Sequence, residues 1–187
     1  SKYPETDISL AGQQEEQKEF MGSLKRNNLL ALLAIFILLA IPLSSYIQPL
    51  IIMSAIPFGM IGAIVGHVIL GYDLSMFSLI GVVALSGIVI NDSLVMIDLI
   101  NRMRANGSSV LDAVMQSGTR RFRAIMLTTL TTFLGLTPLL LEKSIQAKFL
   151  IPMAISVAFG VVFATIITLL IVPSLYMIVE DLRQMPS

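Results

Sequence analysis

The sequence predicts an all-α membrane protein with five transmembrane helices. Of its 187 residues, 56% are hydrophobic and only 13% are charged, whereas soluble domains carry about 25% charged residues. Five apolar segments, each near the roughly 20 residues that a membrane helix needs, are separated by short polar connections. The spans are expected at about 22–43, 46–70, 74–100, 122–141 and 149–179.

The composition excludes several kinds of site. The chain has no cysteine, so disulfides and cysteine-bound metals are excluded, and we predict neither a metal site nor a cofactor. The formal net charge is zero, so no electrostatic footprint indicates a nucleic-acid partner. The partner that this composition does indicate is a lipid bilayer.

Residues 1–21 form a polar segment that leads into the first span. Asp7–Gly12 alternates between polar and apolar residues in the way that a strand end does, and Gln13–Glu19 is a charged start of a helix. Such a segment is too short to bury a core of its own. We interpret it as the end of an extramembrane domain whose body lies upstream.

The connection between spans three and four predicts the orientation of the chain. Its charged residues are one acid and five bases, namely Asp112 and Arg102, Arg104, Arg120, Arg121 and Arg123. Positive residues favour the cytoplasmic side, so this connection and the tail 180–187 are expected inside the cell, and residues 1–21 outside it. Lys25 and Arg26, at the start of the first span, oppose this orientation weakly.

Within the same connection, residues 108–118 are expected to form a short amphipathic helix on the membrane surface. Ser108-Ser109-x-x-Asp112 resembles a helix N-cap followed by an acid in the first turn. Gly118 is expected to end the helix. A solvated linker helix is the alternative interpretation.

Span two carries glycines that predict close helix packing, because a missing side chain permits backbones to approach. The residues assigned to helix packing are Gly59, Gly62 and Gly66 of span two and Gly87 of span three. A sliding surface used in transport is the alternative for the glycines of span two. Pro57 is expected to kink this span, and we interpret His67, near its outer end, as interfacial rather than as a proton carrier.

The third span has a polar centre. Asn91, Asp92 and Ser93 interrupt an apolar run about two-thirds of the way along it. An ionised carboxyl inside the bilayer costs about 2.5–3.5 kcal/mol on insertion scales, so Asp92 needs a partner, a water-filled cavity or a proton. Surroundings of low dielectric favour the neutral form of a carboxyl, which is the physical basis of proton coupling. Asp98, on the face of Asn91, lies nearer the cytoplasmic end.

The fourth span holds a group of hydroxyls. Thr128, Thr129, Thr131 and Thr132 follow one another within one and a half turns, which places polar groups on nearly every side of the helix. Threonines inside a membrane can bond to backbone carbonyls or to neighbouring helices. Two interpretations stay open, since the polar residues of spans three and four either carry a transport function or only hold helices together.

These segments resemble a known family. Residues 87–98, Gly-Ile-Val-Ile-Asn-Asp-Ser-Leu-Val-Met-Ile-Asp, are similar to the tenth transmembrane helix of the resistance–nodulation–division superfamily, in its acriflavine-resistance type of efflux pump. Residues 120–129 resemble the start of the eleventh helix, and residues 51–66 resemble the ninth. The resemblance extends over essentially the whole chain. It implies helices eight to twelve, which are most of one half of a twelve-helix multidrug efflux transporter-like bundle.

The resemblance also implies a function. Such pumps are secondary transporters, not enzymes, and export drugs or other small molecules across the bacterial inner membrane by proton antiport. Implied partners are an upstream N-terminal part of the same transporter, two further copies in a homotrimer, a periplasmic adaptor and an outer-membrane channel. The resemblance does not predict the substrate, because the family's periplasmic domains select it.

Site residues carry over from the family one at a time. Its drug pumps have a lysine in helix ten that pairs with two aspartates of helix four, and Asn91 stands at the matching place here. Asp92 occupies a position that is commonly neutral and polar, so the ion pair is missing and an acid stands beside its place. The proton-relay candidates are Asp92, Asn91 and Thr128, the last matching a relay threonine, and the secondary polar candidates are Asp98, Ser93 and Thr129.

Two other classes of protein remain open as alternatives. Asp92 and Asp98 suggest an intramembrane aspartyl protease, but they lie about 120° apart around one helix, and the Gly-x-Gly-Asp motif of those proteases is missing. A structural membrane fragment without activity of its own is the second alternative. An upstream reading frame that encodes a helix with paired aspartates would discriminate the pump from both.

Overall fold

The computed structural model describes residues 4–184, which form helices joined by short turns. The helices in the described part are α1 (Pro4–Leu43), α2 (Ile47–Met53), α3 (Ile56–Leu70), α4 (Met76–Ala105), α5 (Val110–Leu140) and α6 (Ala147–Gln184). Five described segments are long and apolar enough to cross a membrane, namely Gln17–Leu43, Ile47–Leu70, Met76–Ala105, Val110–Leu140 and Ala147–Arg183. The predicted all-α fold class with five membrane helices is confirmed.

The chain divides into two units. The first, Ser1–Pro42, consists in its described part of α1. The second, Leu43–Ser187, contains α2 to α6. Within the second unit α6 lies at the centre, since it packs against α3, α4 and α5. The short helix α2 packs against α4 and α6.

The second span is broken at the place where a proline was predicted to kink it. α2 ends at Met53, and α3 begins at Ile56 with Pro57 in its first turn. Proline has no N–H to donate and is tolerated there. Ser54 bonds to the turn before the break, because its N–H donates to the Leu50 carbonyl at 2.9 Å and its hydroxyl to the next carbonyl at 2.6 Å. The break therefore leaves these carbonyls paired.

The start of α4 is fixed by a capping box. The Ser75 hydroxyl accepts from the Ser78 N–H at 3.3 Å, and the Ser78 hydroxyl accepts from the Ser75 N–H at 3.0 Å. Each bond satisfies a donor that the first helical turn cannot pair. In the preceding turn Gly71 has a φ of 69°, a left-handed conformation that glycine adopts without strain. These local interactions set the register of α4 and the position of its polar centre.

Helix α5 differs from the prediction. Ser109 caps it as expected, since its hydroxyl accepts from the Asp112 N–H at 3.1 Å. The helix does not end at Gly118 but continues without a break to Leu140, so the separate helix at 108–118 is wrong. A glycine inside a helix costs only about 1 kcal/mol relative to alanine, which is too little to interrupt continuous backbone hydrogen bonding.

Two further expectations are corrected by helical continuity. Residues 7–12, for which the alternation predicted a strand end, belong to α1. A helix pairs its backbone groups within the segment, whereas a lone strand leaves them unpaired. The connection between spans three and four is also shorter than predicted, because only residues 106–109 lie outside helices. Of the five arginines assigned to it, two lie in the last turn of α4 and three lie about a third of the way along α5.

Candidate functional site

The polar residues at the centre of α4 point in three directions. They occupy consecutive positions, each about 100° further around the helix. Asn91 is exposed, Asp92 is half-buried, and Ser93 is fully buried. The polar centre is therefore divided between an open face, an edge and the interior of the second unit.

Asn91 lies on an exposed face of α4. Gly87, one turn earlier, is on the same face, and no atom of another helix in the described chain lies within 4 Å of the place a Cβ would take. The packing role predicted for Gly87 is therefore not found within this chain. The physical reason is direction, since the buried positions of α4, such as Val89 and Ile97, lie on the other side of the helix.

Asp92 borders a narrow gap between α4 and α6. The gap is lined by Val89, Asp92, Val161, Ala164, Thr165 and Thr168, and it is too narrow to admit a water molecule. Thr165 and Thr168 are only 4% and 2% exposed. The hydroxyls that share this gap with the acid thus come from α6, a helix in which no site residue was predicted.

The secondary candidates of α4 have surroundings of their own. The Ser93 hydroxyl is buried and has no hydrogen-bond partner among the described residues. Asp98 forms an ion pair with Arg102 at 2.8 Å, and the two side chains are 44% and 75% exposed. Asp92 and Asp98 therefore do not come together, and the paired acids that an aspartyl protease needs are not formed by them.

The threonines of α5 divide into two kinds. Thr128 and Thr131 are exposed and donate to carbonyls of their own helix, Thr128 to that of Ala124 at 3.0 Å. Thr129 is buried, and its hydroxyl oxygen lies 2.6 Å from that of Thr165. The relay candidate Thr128 therefore faces outward, whereas the secondary candidate Thr129 joins α5 to α6.

The three proton-relay candidates are not joined to one another by hydrogen bonds in the described part of the chain. Asn91 and Thr128 are both exposed, so each is free to meet a group from outside the second unit. Asp92 instead belongs to an inner series that continues through Thr165 to Thr129. Of these groups only the carboxyl can exchange a proton at ordinary pH, because amides and hydroxyls donate and accept without titrating.

The glycines of α3 allow close approach to α6. A Cβ at Gly62 would collide with Phe163 and lie 2.8 Å from the carbonyl oxygen of Phe159, and one at Gly66 would lie 2.5 Å from the Phe159 ring. Gly59 meets a leucine of α4 at 3.0 Å in the same way. Real Cβ atoms do not take the positions found at Gly62 and Gly66, so α3 and α6 could not pack at this distance with larger residues there.

His67 is buried rather than interfacial, so that interpretation was wrong. It is 2% exposed. Its Nδ1 lies 2.9 Å from the carbonyl oxygen of Ala63 and its Nε2 lies 2.8 Å from the hydroxyl of Ser78. Ser78 belongs to the capping box of α4, and it supplies the buried partner that the sequence could not reveal. The ring therefore ties α3 to the first turn of α4.

A second polar network, which the sequence analysis missed, joins α2, α4 and α6. Gln48 and Asn101 exchange two amide hydrogen bonds of 3.0 and 2.8 Å, and the Tyr176 hydroxyl donates to Asn101 Oδ1 at 3.0 Å. Arg104 of α4 forms an ion pair with Glu180 of α6 at 3.1 Å, further along these two helices. An asparagine and a tyrosine near the ends of neighbouring spans were the signal that could have indicated it.

Comparisons with known proteins agree with one another. Residues 3–180 match the model of the AcrB/AcrD/AcrF family. The chain is 32% identical over 177 residues to the multidrug resistance protein MdtC of Pantoea ananatis (strain AJ13355), an overlap of 94% of this chain and 17% of that protein.

Two crystal forms of a heavy metal efflux pump are similar in structure. Form I has 29% identity and a TM-score of 0.78, and form II has 27% identity and a TM-score of 0.82. Each match covers 90% of this chain, but only 16% and 17% of the two solved chains. The chain therefore spans about a sixth of the length of the relatives it matches.

Proposed function

Since the chain belongs to the AcrB/AcrD/AcrF family of transporters, we propose that it is part of the membrane domain of a proton-driven exporter of small molecules. In this proposal its spans correspond to helices eight to twelve of a twelve-helix bundle, and the remaining helices come from the N-terminal part of the transporter. The observation that carries the proposal is Asp92, an acid in the polar centre of an otherwise apolar span.

Asp92 is proposed as the group that takes up and releases the proton. Ionised carboxyls inside a membrane are costly unless paired, and no described cation pairs with this one, since the ion pairs of α4 are made by Asp98 and Arg104. Uptake of a proton removes the charge, and its release restores it. The two states therefore differ in the free energy of keeping Asp92 at the α4–α6 gap, which is how a proton gradient would drive a change in helix packing.

Asn91 and Thr128 are proposed to act at the boundary with the N-terminal part. Both are exposed on helices of the second unit, and polar side chains inside a membrane normally meet partners on other helices. Their amide and hydroxyl groups can orient a titratable group of the incoming helices without carrying the proton themselves.

We propose the bacterial inner membrane as the location, with the ends of α4 and α6 and the start of α5 in the cytoplasm. The positive residues that support this orientation gather there, with Arg102 and Arg104 on α4, Arg120, Arg121 and Arg123 on α5, and Arg183 on α6. The family further suggests a homotrimer that works with a periplasmic adaptor and an outer-membrane channel.

For the substrate we propose organic drugs and dyes, with metal ions as the second candidate. The first follows the multidrug resistance protein that is 32% identical, and the second follows the heavy metal efflux pump with 29% identity. A strain that lacks its own exporters and expresses the full-length protein should tolerate ethidium better than the parent strain. Better tolerance of zinc or copper without any change for ethidium would favour metals instead.

Proton coupling is tested in the full-length transporter, reconstituted in vesicles with an imposed pH gradient. Transport of the compound found in the growth test should fall to the level of empty vesicles in Asp92→Asn, which cannot titrate. Asp98→Asn is the matched control, because it changes the same kind of residue on the same helix at an exposed ion pair. Gradient-driven transport that survives in Asp92→Asn would overturn the proposed role.

A further inference from the structure

The α6 side of the Asp92 gap carries two buried threonines that nothing in the proposed relay uses. Thr165 and Thr168 stand three residues apart, so they lie on one face of α6, about one turn from each other. Both line the gap together with Asp92. They are the polar residues among the otherwise apolar α6 side chains there, which are Val161 and Ala164.

Apart from these two hydroxyls, nothing in the gap can solvate the Asp92 carboxyl. It does not admit a water molecule, so an ionised Asp92 that turned towards α6 would find only these two hydroxyls as donors. A buried charge without hydrogen bonds is strongly disfavoured. The hydroxyls of α6 therefore decide how well the charged form is tolerated at this place.

Thr165 also contacts a third helix. Its hydroxyl oxygen lies 2.6 Å from that of Thr129 on α5, and either group can be the donor. A hydroxyl has one proton to donate and two lone pairs. If Thr165 donates to an ionised Asp92, it must accept from Thr129. If Asp92 is protonated and donates to Thr165, then Thr165 is free to donate to Thr129.

We propose that Thr165 and Thr168 are positioning residues for Asp92, which stabilise its ionised form and pass its protonation state to α5 as the direction of the Thr165–Thr129 hydrogen bond. This inference rests on the proposed function, in which Asp92 gains and loses the proton. It assigns to α6 a part in the relay, although that helix holds none of the candidates found in the sequence.

Other titratable groups stand away from the gap, so the hydroxyls are the partners to test. On α4 the nearest is Asp98, six residues or about 9 Å along the helix, and on α6 it is Tyr176, eight residues or about 12 Å beyond Thr168. On α5 the nearest is Arg123, about 9 Å along the axis from Thr129. On α3 it is His67, which lies at the first turn of α4 beside Ser78.

The test follows the protonation of Asp92 directly, without a transport substrate. Infrared difference spectra of the full-length transporter in lipid vesicles are recorded as the pH is changed. The signal of interest is the carboxylic-acid carbonyl band that disappears in Asp92→Asn. Its titration midpoint should move to higher pH by roughly one unit in Thr165→Val and in Thr168→Val, because each removes a hydroxyl that the ionised carboxyl could accept from.

Matched variants separate positioning from packing. Thr165→Ser keeps the hydroxyl and should restore the midpoint of the unaltered protein. Thr137→Val removes a threonine hydroxyl that bonds only to the Phe133 carbonyl of its own helix, and it should leave the midpoint in place. Thr129→Val should change the carbonyl frequency of the Asp92 band, since the Thr165 hydroxyl that accepts from protonated Asp92 would then have no Thr129 hydroxyl to donate to.

Each outcome bears on a different claim. A midpoint that stays the same in both valine variants overturns the positioning role, even if Asp92 carries the proton. A spectrum with no band that depends on Asp92 overturns the proposed function itself and this inference with it. A shift in Thr165→Val that serine does not reverse also overturns the inference, because it would come from packing and not from the hydroxyl.

Discussion

The two sides of α6 are built in opposite ways. Towards α3 it meets glycines, and Phe159 and Phe163 fill the space that a Cβ at Gly62 or Gly66 would need. Towards α5, and at the gap that borders Asp92 of α4, it presents Thr165 and Thr168 to a hydroxyl and to that gap, whereas nearer its start it packs closely against Gly81 of α4. One side is packed without free space, and the other holds exchangeable hydrogen bonds.

This difference indicates which contacts of α6 can rearrange when the helices move. A close-packed interface of glycine and aromatic rings has one good arrangement, because any displacement brings atoms into collision or opens a void. A hydroxyl can turn about its own bond and exchange one partner for another without moving the helix. We therefore expect α3 and α6 to move as one body, while α5 shifts against them.

The largest effect is expected at the close-packed side. Gly62→Ala places a methyl group against Phe163 and the Phe159 backbone, and overpacking of this kind costs about 1–3 kcal/mol. The free energy of unfolding, measured by denaturant titration of the full-length protein in detergent, should fall by that amount. Gly118→Ala is the control, because nothing in the described chain lies within 4 Å of its Cβ. Equal losses in both variants would show that the α3–α6 contact is not specially tight.

A smaller effect is expected at the hydroxyl contact. Thr129→Val removes the bond to Thr165, and hydrogen bonds between membrane helices are worth about 0.6 kcal/mol on average. The same titration should show a loss of about that size. Thr131→Val deletes a hydroxyl that bonds within α5 and should cost less. If Thr129→Val were as costly as Gly62→Ala, the two sides of α6 would not differ in the way described.

The smallest effect is expected in the turn that joins α5 to α6. The exposed Glu142 carboxylate accepts from the backbone N–H groups of Ser144 and Lys143, at 3.0 and 2.9 Å. These bonds favour the charged form and hold the pKa of Glu142 below its ordinary value of 4.5. The turn therefore keeps its stabilisation at and above that pH and loses it as the pH falls through the lowered pKa.

Amide NMR shifts of Ser144 and Lys143 report this directly. They should stay constant from neutral pH down to about 5 and then titrate with a midpoint below 4.5. In Glu142→Gln the same amides should not titrate in this range. A midpoint at or above the ordinary value would mean that the carboxylate does not hold the turn.

The fold was largely predictable because apolar length and polar breaks are local properties. Pro57 marked the break in the second span, and Ser109 with Asp112 marked the start of α5. The wrong helix end at Gly118 was also predicted from a local feature, because glycine is common just after the end of a helix. Whether a glycine ends a helix depends on the conformation the rest of the chain imposes, and that information is not in the neighbouring residues.

The candidate site was only half predictable for a similar reason. Asp92 and Asn91 stood out because charge and amide groups are rare inside spans. Thr165 and Thr168 did not stand out, since a threonine in an apolar helix is common. Only the packing of α6 against α4 shows that these two residues lie beside Asp92. His67 was misread because its partner, Ser78, lies across a turn on the next helix.

The uninterrupted start of α5 has a consequence for the kind of movement that this helix can make. Arg120, Arg121 and Arg123 follow on one continuous helix, so their side chains leave it in three directions around the axis. Long basic side chains seek the headgroup level, so the exposed Arg120 and Arg123 are expected to fix the depth of α5 in the bilayer. Sliding along the axis would pull these two side chains away from the headgroups. Turning about the axis would not, and rotation is the motion that changes which threonine α5 presents to α6.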